Sequence, residues 1–266
     1  MEQIGLKEIR QYQLEIMDEI DAYCKKNNLR YFLVGGTLLG AIRHNGFIPW
    51  DDDIDIAMPR DDYEKLVQSF SSASGKVSVI NNKKDKRYYW PHSKAVHNDT
   101  ELVESHNKYK IGVFIDIFPL DKVSGTREEC IKKTNKVNKY KNILTLKHLK
   151  LSRDRSFVKN AVVLCGKALN LMSDRCVISK IDKLSQADRY VGAAEYWCNF
   201  LGAWGVKELV ESRCFDSVEE HIFEGRMYSI PSAYDAYLSA IYGDYMTPPP
   251  VEKQVSHHSF AAYRKD

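Results

Sequence analysis

The fold is decided by the stretch YFLVGGTLLGAIRHNGFIPWDDDIDIAMP, residues 31–59. It opens with a short apolar run, residues 31–34, which is typical of a buried strand. Gly35 and Gly36 follow, and a glycine pair allows a tight turn and close approach of a ligand to the backbone. The remainder predicts a short helix over residues 38–44 and then a second strand that carries acidic residues.

The start of this predicted helix is a candidate binding site for an anion. Thr37 suits the N-cap position, and Gly46 suits the position just past the end of the helix. Free backbone N–H groups at a helix start, together with the positive end of its dipole, favour a group such as phosphate. A glycine pair after a strand is also common as simple turn chemistry. Gly35, Gly36 and Thr37 are therefore candidate substrate-binding residues, with a structural turn as the alternative.

The acids that follow predict a metal site. Asp51, Asp53 and Asp55 alternate with the residues between them, so in a strand their carboxylates share one face. Neighbouring carboxylates repel each other unless a proton or a cation intervenes. Mg²⁺ suits such a site because it takes carboxylate oxygens and leaves positions open for phosphate oxygens. The alternative is a solvated acidic loop after Pro49, although the apolar flanks of Asp53 and Asp55 are poorly suited to a disordered loop.

A third acid lies in the most strand-like segment of the chain, IGVFIDIFPL, residues 111–120. Asp116 is the single charge in its middle, and a buried charge must be paired or bound to a metal. Its alternative role is an ion pair with one of the many lysines. Asp53, Asp55 and Asp116 together could hold two metal ions, one on each side of a reacting phosphorus. We predict these three as catalytic and metal-binding residues for Mg²⁺, or Mn²⁺ in its place, and Asp51 beside them as a substrate-binding residue.

Together these motifs resemble the nucleotidyltransferase superfamily, whose members place a Gly-Gly or Gly-Ser turn before an acid-x-acid strand and add a third acid downstream. More narrowly, the chain resembles the LicD family of phosphotransferases, and fukutin-related protein is similar in this core. The resemblance is carried by GGTLLGAIRHNGFIPWDDDIDIAMPRDDYEKL (35–66), FIDIFPLD (114–121), YLSAIYGDYMTPPP (237–250) and a nearby His257-His258. It runs from about residue 6 to residue 258, with a weaker middle.

The resemblance implies an α+β fold with a nucleotidyltransferase-like mixed β-sheet core flanked by helices. We predict a catalytic core over residues 1–121, a basic helical insertion over 122–190 and a helical C-terminal part over 191–266 that completes the site. The closing motif packs beside the active centre within the family, so the resemblance also implies that His257 contacts substrate.

The resemblance further implies an enzyme that moves a phospho-alcohol, typically phosphocholine from CDP-choline, onto a sugar. The acceptor would belong to a cell-surface polysaccharide, a teichoic acid or a lipid-linked precursor, and the nucleotide would leave as its monophosphate. Asp116 would complete the second metal site and help to deprotonate the acceptor hydroxyl. Two other classes stay open: a metal-dependent glycosyltransferase with an Asp-x-Asp site, and a non-catalytic nucleotide-binding protein. The first would not need Asp116, and the second would have little reason to carry three mutually repelling acids.

Two basic residues are candidates for contact with the donor. Lys94 lies near the predicted metal site and could meet the donor's diphosphate, although a solvated surface lysine is the commoner case. Arg43 ends the helix that follows the glycine pair, where the helix dipole already favours a basic residue.

Charge is distributed unevenly along the chain. Residues 122–190 hold 17 Lys and Arg against 6 Asp and Glu, a net charge of +11, whereas residues 1–121 hold 16 against 19. The basic segment predicts helices over 128–148 and 157–172. Such helices could lie on an anionic membrane surface, or they could pack with a solvated basic face. Nucleic-acid binding is not indicated, because the aromatic residues expected of a single-strand platform are sparse.

The chain of 266 residues is long enough for one large domain or a domain with an insertion. It has no apolar stretch of about 20 residues, and its start lacks the apolar core of a signal peptide. We therefore expect a cytoplasmic protein, with the inner face of the plasma membrane as a peripheral location. The 6 cysteines are widely spaced, and we expect them to be buried and reduced.

Overall fold

The computed structural model describes residues 1–104, 110–149, 156, 160–161, 163–164, 167, 172–255 and 260–265. Within these residues it has twelve strands and six α-helices. They follow in the order β1 (Glu2–Ile4), α1 (Leu6–Lys26), β2 (Phe32–Leu33), α2 (Gly35–His44), β3 (Asp55–Pro59), α3 (Arg60–Ser69), β4 (Val77–Ile80), β5 (Ser93–His97), β6 (Thr100–Glu104), β7 (Phe114–Val123), α4 (Arg127–His148), α5 (Asp174–Ser185), β8 (Tyr196–Cys198), β9 (Leu209–Glu211), β10 (Val218–Phe223), β11 (Arg226–Pro231), α6 (Tyr234–Tyr242) and β12 (Phe260–Arg264).

The central sheet has seven strands and is built around β7. Its main order is β2-β3-β7-β5-β4, and β8 with β9 extends it from the far end of β7. The pair β3–β7 is parallel, whereas the other pairs are antiparallel. Register places Asp116 of β7 directly between Asp55 of β3 and Lys94 of β5. We call these three residues the charged row.

The main hydrophobic core lies between this sheet and the first three helices. Ile16, Met17 and Ile20 of α1 are fully buried, at the helical spacing that gives one apolar face. They share one cluster with Ile56 of β3 and Ile117 of β7. The core fixes the position of the two acid-bearing strands, since both are anchored in it by their apolar residues.

A second core joins the basic segment to β8 and β9. Val137 of α4, Val177 of α5, Cys198 of β8 and Leu209 of β9 pack together in it. The predicted helix over 128–148 is confirmed as α4, whereas most of the predicted helix over 157–172 lies outside the described residues. The division into three parts stays a prediction.

The predicted α+β class with a mixed sheet is confirmed, but the C-terminal part is less helical than expected. Residues 191–265 contain α6 and the five strands β8 to β12. The hairpin β10–β11 explains part of the difference. Glu224 and Gly225 both have positive φ, at 51° and 74°, which gives the two-residue turn that favours paired strands over a helix.

Across the described ranges, every helix is too short or too polar to cross a membrane. The expectation for the cysteines is confirmed in part. Four are free and buried, namely Cys24, Cys130, Cys198 and Cys214. Cys176, near the start of α5, is free but exposed, which corrects the prediction for that residue. Cys165 lies outside the described residues.

Candidate active site

The start of α2 is three residues earlier than predicted. Val34 occupies the N-cap position and the helix begins at Gly35, so the prediction of Thr37 as the N-cap is wrong. The reason is the conformation of Gly35, whose φ of +57° turns the chain directly after β2. Thr37 is instead buried in the first turn, where its hydroxyl accepts a hydrogen bond from the backbone N–H of Asp55 at 2.8 Å. Thr37 therefore ties α2 to the first residue of β3.

Gly35 and Gly36 place main-chain atoms on the wall of a cavity. Gly35 and Gly36 both line it, and the N–H of Gly35 donates to the hydroxyl of Tyr237 at 3.3 Å. A Cβ on Gly36 would lie only 2.6 Å from Oδ2 of Asp51. A side chain at this position would therefore displace an acid, which is a physical reason for glycine here.

The strand of acids is shorter than predicted. It begins at Asp55, and residues 51–54 are irregular. The predicted alternation is nevertheless observed in burial, because Asp51, Asp53 and Asp55 are half-buried and the residues between them are buried. Although Asp52 is buried, its carboxylate lies close to those of its two neighbours. Carboxylate oxygens of Asp51, Asp52 and Asp53 lie within 4.8 Å of one another.

The acids fit a hard divalent cation. Three carboxylates that meet within 4.8 Å, those of Asp51, Asp52 and Asp53, offer the oxygen ligands that Mg²⁺ prefers. Burial raises the pKa of Asp55 well above its usual value, and the charges of Asp53 and Asp116 raise it further. A cation among these groups would remove that repulsion. The predicted ligand set Asp53, Asp55 and Asp116 stays a prediction, to which the structure adds two neighbouring acids.

Asp116 is held by two partners. Nζ of Lys94 lies 2.6 Å from Oδ1 of Asp116, and Nε2 of His92 lies 2.8 Å from the same oxygen. Lys94 is only 4% exposed, and its ammonium lies 3.5 Å from the centroid of the Phe114 ring. The ion pair with a lysine, which the sequence left as an alternative for Asp116, is therefore present. This placement favours a role for Lys94 in neutralising Asp116 over direct contact with a diphosphate.

The protonation states follow from these contacts. Burial opposes the charge of Asp116, but Lys94 and then His92 outweigh it and hold its pKa well below the usual range. Burial lowers the pKa of His92 despite the nearby carboxylate, so a neutral imidazole that donates through Nε2–H fits this site. His92 was missed as a site residue. It lies two residues before Lys94, and the alternation of a strand places residues at this spacing on one face.

The cavity has a volume of about 570 Å³ and two chemically different walls. The acid wall is formed by the glycine pair, the acids and their neighbours. The opposite wall comes from α4 and from residues 199–208. The first wall includes Gly35, Gly36, Asp53, Asp55, His92 and Asp116, and the second includes Asn138, Lys141, Asn142, Asn199, Gly202, Trp204 and Glu208.

The opposite wall holds a half-buried cation, Lys141, and a buried acid, Glu208. Nζ of Lys141 donates to the carbonyl oxygen of Gly202 at 2.6 Å, and burial lowers the pKa of this lysine. Glu208 is 3% exposed and accepts a hydrogen bond from the backbone N–H of Trp204 at 3.4 Å. Sequence reasoning missed both residues. The available signal was the spacing of Asn138, Lys141 and Asn142, which share one helix face.

The remaining predicted residues are placed as follows. Arg43 donates from Nη1 to the carbonyl oxygen of Tyr245 at 2.9 Å and is not among the described residues that line the cavity. His257 lies outside the described residues. Five predicted residues meet at the cavity, namely Gly35, Gly36, Asp53, Asp55 and Asp116. Three others, Thr37, Asp51 and Lys94, bond to or pack against members of that set.

Comparisons with known proteins show which family this chain is similar to. Residues 28–162 match the family model described as LicD/FKTN/FKRP, nucleotidyltransferase domain. The lipopolysaccharide cholinephosphotransferase LicD of Haemophilus influenzae is 31% identical, and the alignment covers 99% of both chains. The ribitol 5-phosphate transferase FKRP of Mus musculus is 35% identical over 92 residues, which cover 34% of this chain and 17% of FKRP. Human FKRP is 34% identical over 91 residues.

Proposed function

We propose, from the premise that this chain belongs to the LicD family, that it transfers a phospho-alcohol from a CDP-alcohol to a sugar hydroxyl with the help of Mg²⁺. The chain is a transferase of phosphate-containing groups, like the relatives that match it. CDP-choline is the favoured donor, because the relative that aligns over the full length is a cholinephosphotransferase. The favoured acceptor is a sugar of a cell-surface polysaccharide, a teichoic acid or a lipid-linked precursor.

The observation that carries the proposal is the register of the charged row. Asp55 and Asp116 lie side by side on adjacent parallel strands, and Asp53 lines the same wall of the cavity. A nucleoside diphosphate donor brings further negative charge to this wall, so binding requires a counter-charge. Mg²⁺ held by these carboxylates would neutralise the diphosphate and stabilise the leaving nucleotide. Mn²⁺ accepts the same carboxylate ligands.

The chain's own residues would bind and orient the donor from both walls. The start of α2 would present the backbone N–H of Gly36 and the positive end of its dipole to a phosphate, while the N–H of Gly35 is bonded to Tyr237. Lys141 supplies positive charge from the opposite wall. Asp116 stays anionic, because Lys94 and His92 bind one of its oxygens. Phosphoryl transfer asks for positioning and charge stabilisation more than covalent chemistry, and this arrangement provides both.

The same row weighs against the other two classes. A glycosyltransferase with an Asp-x-Asp site would need Asp53 and Asp55, whereas here Asp116 is built into the same row by strand register. A protein that only binds a nucleotide would gain stability by losing one of the repelling carboxylates, since burial and then the charges of Asp53 and Asp116 raise the pKa of Asp55.

The acceptor side would be served by the basic segment. Lys132, Lys136 and Lys139 are exposed on α4, at a spacing that places them on one helix face. Such a stripe suits an anionic membrane surface that carries a lipid-linked acceptor. A peripheral location at the inner face of the plasma membrane stays a prediction.

The test is release of CMP from CDP-choline by the purified full chain with Mg²⁺, with and without a lipid or glycan extract. CDP-ribitol, CDP-glycerol, CDP-ethanolamine and a UDP-sugar complete the donor panel. We expect CMP release that Asp53→Asn and Asp116→Asn abolish and that the exposed control Asp216→Asn leaves unchanged. CMP release from another CDP-alcohol would revise only the headgroup in the proposal and would leave the reaction type unchanged. Turnover of the UDP-sugar alone, or CMP release that survives Asp53→Asn, would overturn the proposal.

A further inference from the structure

Glu208 is a buried carboxyl group on the wall opposite the acids, and the transfer described above gives it no role. Its Oε1 accepts the hydrogen bond from Trp204, whereas its Oε2 has no hydrogen-bond partner among the described residues. A buried polar atom that lacks a partner costs free energy. Because Glu208 lines the cavity, this oxygen is a candidate acceptor for a hydrogen bond from a bound substrate.

The reaction needs a proton acceptor that Asp116 does not provide. A sugar hydroxyl must lose its proton as its oxygen attacks phosphorus. Oδ1 of Asp116 already accepts hydrogen bonds from Nζ of Lys94 and Nε2 of His92. The carboxylate is also a predicted metal ligand, so its oxygens are poorly placed to take a further proton. The expectation from the sequence that Asp116 helps to deprotonate the acceptor is therefore not favoured, and another group in the cavity is required.

Glu208, Tyr237 and the acids line one cavity, and Tyr237 connects its two walls. Tyr237 lines the cavity and accepts the hydrogen bond from Gly35 on the acid side. Burial raises the pKa of Tyr237, and the charges of Glu208 and Asp55 both raise it further. One phenol thus lies within electrostatic reach of carboxylates on both walls, so a substrate group between the walls could meet both.

We propose that Glu208 accepts the proton of the acceptor hydroxyl through Oε2, an inference that rests on the proposed phospho-alcohol transfer. The acceptor O–H bond breaks and its proton passes to Oε2, while the acceptor oxygen forms a bond to the donor phosphorus. The bond between this phosphorus and the bridging oxygen of the diphosphate breaks. Its electron pair leaves with the nucleoside monophosphate, and Glu208 then releases the proton to solvent.

The surroundings of Glu208 suit a proton acceptor near neutral pH. Burial raises its pKa to about 7, while the hydrogen bond from the Trp204 backbone and the charge of Lys141 act in the opposite direction. The other groups that interact with it are Cys198 of β8 and two tyrosines of α6, Tyr237 and Tyr242. Burial raises the pKa of each of these three, so they stay neutral. A general base works best when its pKa lies near the working pH.

The test compares wild type, Glu208→Gln and the exposed control Glu211→Gln across pH 5.5–9, with the donor and acceptor that wild type uses at saturation. For wild type and the control we expect kcat to fall about tenfold per pH unit below pH 7. For Glu208→Gln we expect kcat to be about 10²–10⁴-fold lower than that of wild type at pH 8. We also expect the fall of kcat below pH 7, the acid limb of the profile, to be absent in this variant. Its Kd for the CDP-alcohol with Mg²⁺, measured by calorimetry, should stay within about threefold of wild type, which a disrupted fold would not allow.

Lys141→Gln keeps the test decisive if Glu208→Gln does not fold. Loss of this positive charge should raise the pKa of Glu208 and move the acid limb upward by about 0.5–1 pH unit. A wild-type rate and acid limb in Glu208→Gln, or an unmoved limb in Lys141→Gln, would overturn the role of Glu208 and leave the proposed function standing. A wild type that turns over no CDP-alcohol would overturn both.

Discussion

Asp116 and Asp121 are two acids on the same strand, the first half-buried and the second buried, and they differ in what surrounds them. Asp121 is 2% exposed and receives both Nε and Nη2 of Arg60, one on each carboxylate oxygen, at 2.7 and 2.6 Å. Asp116 receives Lys94 and His92 on the same oxygen and lies beside Asp55 in register. Asp121 thus forms a bidentate ion pair with Arg60, whereas Asp116 belongs to a group of acids that line the cavity.

The difference shows that burial of a charge is not by itself a sign of function. Arg60 satisfies both oxygens of Asp121, a geometry that fixes the position of α3 against β7. At Asp116 the neighbouring acids leave a surplus of negative charge, which a structural pair would not need. The like-charged neighbours are therefore the feature that distinguishes the candidate site from a structural ion pair.

Loss of Arg60 tests whether the pair of Arg60 with Asp121 is structural, and it has the largest expected effect on stability. Arg60→Ala leaves Asp121 buried without its partner, so we expect the free energy of unfolding to fall by about 3–5 kcal/mol, measured by urea denaturation. The double variant Arg60→Met with Asp121→Leu should recover most of this loss. Activity per folded molecule should stay within about threefold of wild type. A loss below about 1 kcal/mol would contradict the structural role.

Neutral replacement of Asp55 tests whether the acids at the cavity serve activity rather than stability. Because burial and like charges raise its pKa, the native state binds a proton at Asp55 more readily than the unfolded state does, so its ionised form opposes folding at neutral pH. We expect Asp55→Asn to lower kcat by about 10²–10³-fold while the free energy of unfolding stays unchanged or rises. If Asp55→Asn lost stability as well as activity, Asp55 would resemble the structural acid Asp121, and the contrast between the two regions would not hold.

The pH dependence of stability sharpens the contrast at Asp116. Its pKa is lowered in the folded state, so the unfolded state takes up the proton first and the stabilisation is lost as pH falls below the unfolded pKa. Between pH 5 and pH 3 this group alone should account for about 1 kcal/mol of lost stability. Asp116→Asn should remove that part of the slope in urea titrations, and Asp216→Asn should retain it. Equal slopes in all three proteins would argue against the low pKa.

Arg43 lies at the edge of the site. Its replacement has the smallest expected effect on activity among these variants. Its guanidinium donates to the backbone of Tyr245 rather than lining the cavity. Arg43→Ala should therefore change kcat/KM for the donor by less than about threefold, an effect typical of a weak or indirect contact. A loss of tenfold or more would support the role in substrate binding predicted from the sequence and extend the site past the end of α2.

The acid wall could be predicted because its parts are informative one by one. Gly35, Gly36, Asp53 and Asp55 lie within one short stretch whose apolar flanks fix its orientation. Asp116 was found because a lone charge in an apolar strand needs a partner or a metal. The early start of α2 could not be predicted, since it depends on the positive φ that Gly35 adopts in the folded chain.

The opposite wall could not be predicted because its residues look ordinary in sequence. Lys141 is one of many lysines in α4, and only the packing of the helix against residues 199–208 covers part of it. Glu208 directly follows a lysine between apolar residues, and this pattern does not distinguish a buried acid from a surface one. Its burial depends on contacts between parts of the chain that are far apart in sequence.

The parallel pairing of β3 with β7 has a consequence for how the molecule acquires its activity. Asp55 and Asp116 are neighbours across that pair, although α3 and the strands β4 to β6 separate them along the chain. Closing so long a loop costs entropy before any contact repays it, and non-local parallel pairing slows folding. On refolding from urea, we therefore expect helical signal to return before CMP release does. Catalytic activity then becomes a reporter of the last stage of folding.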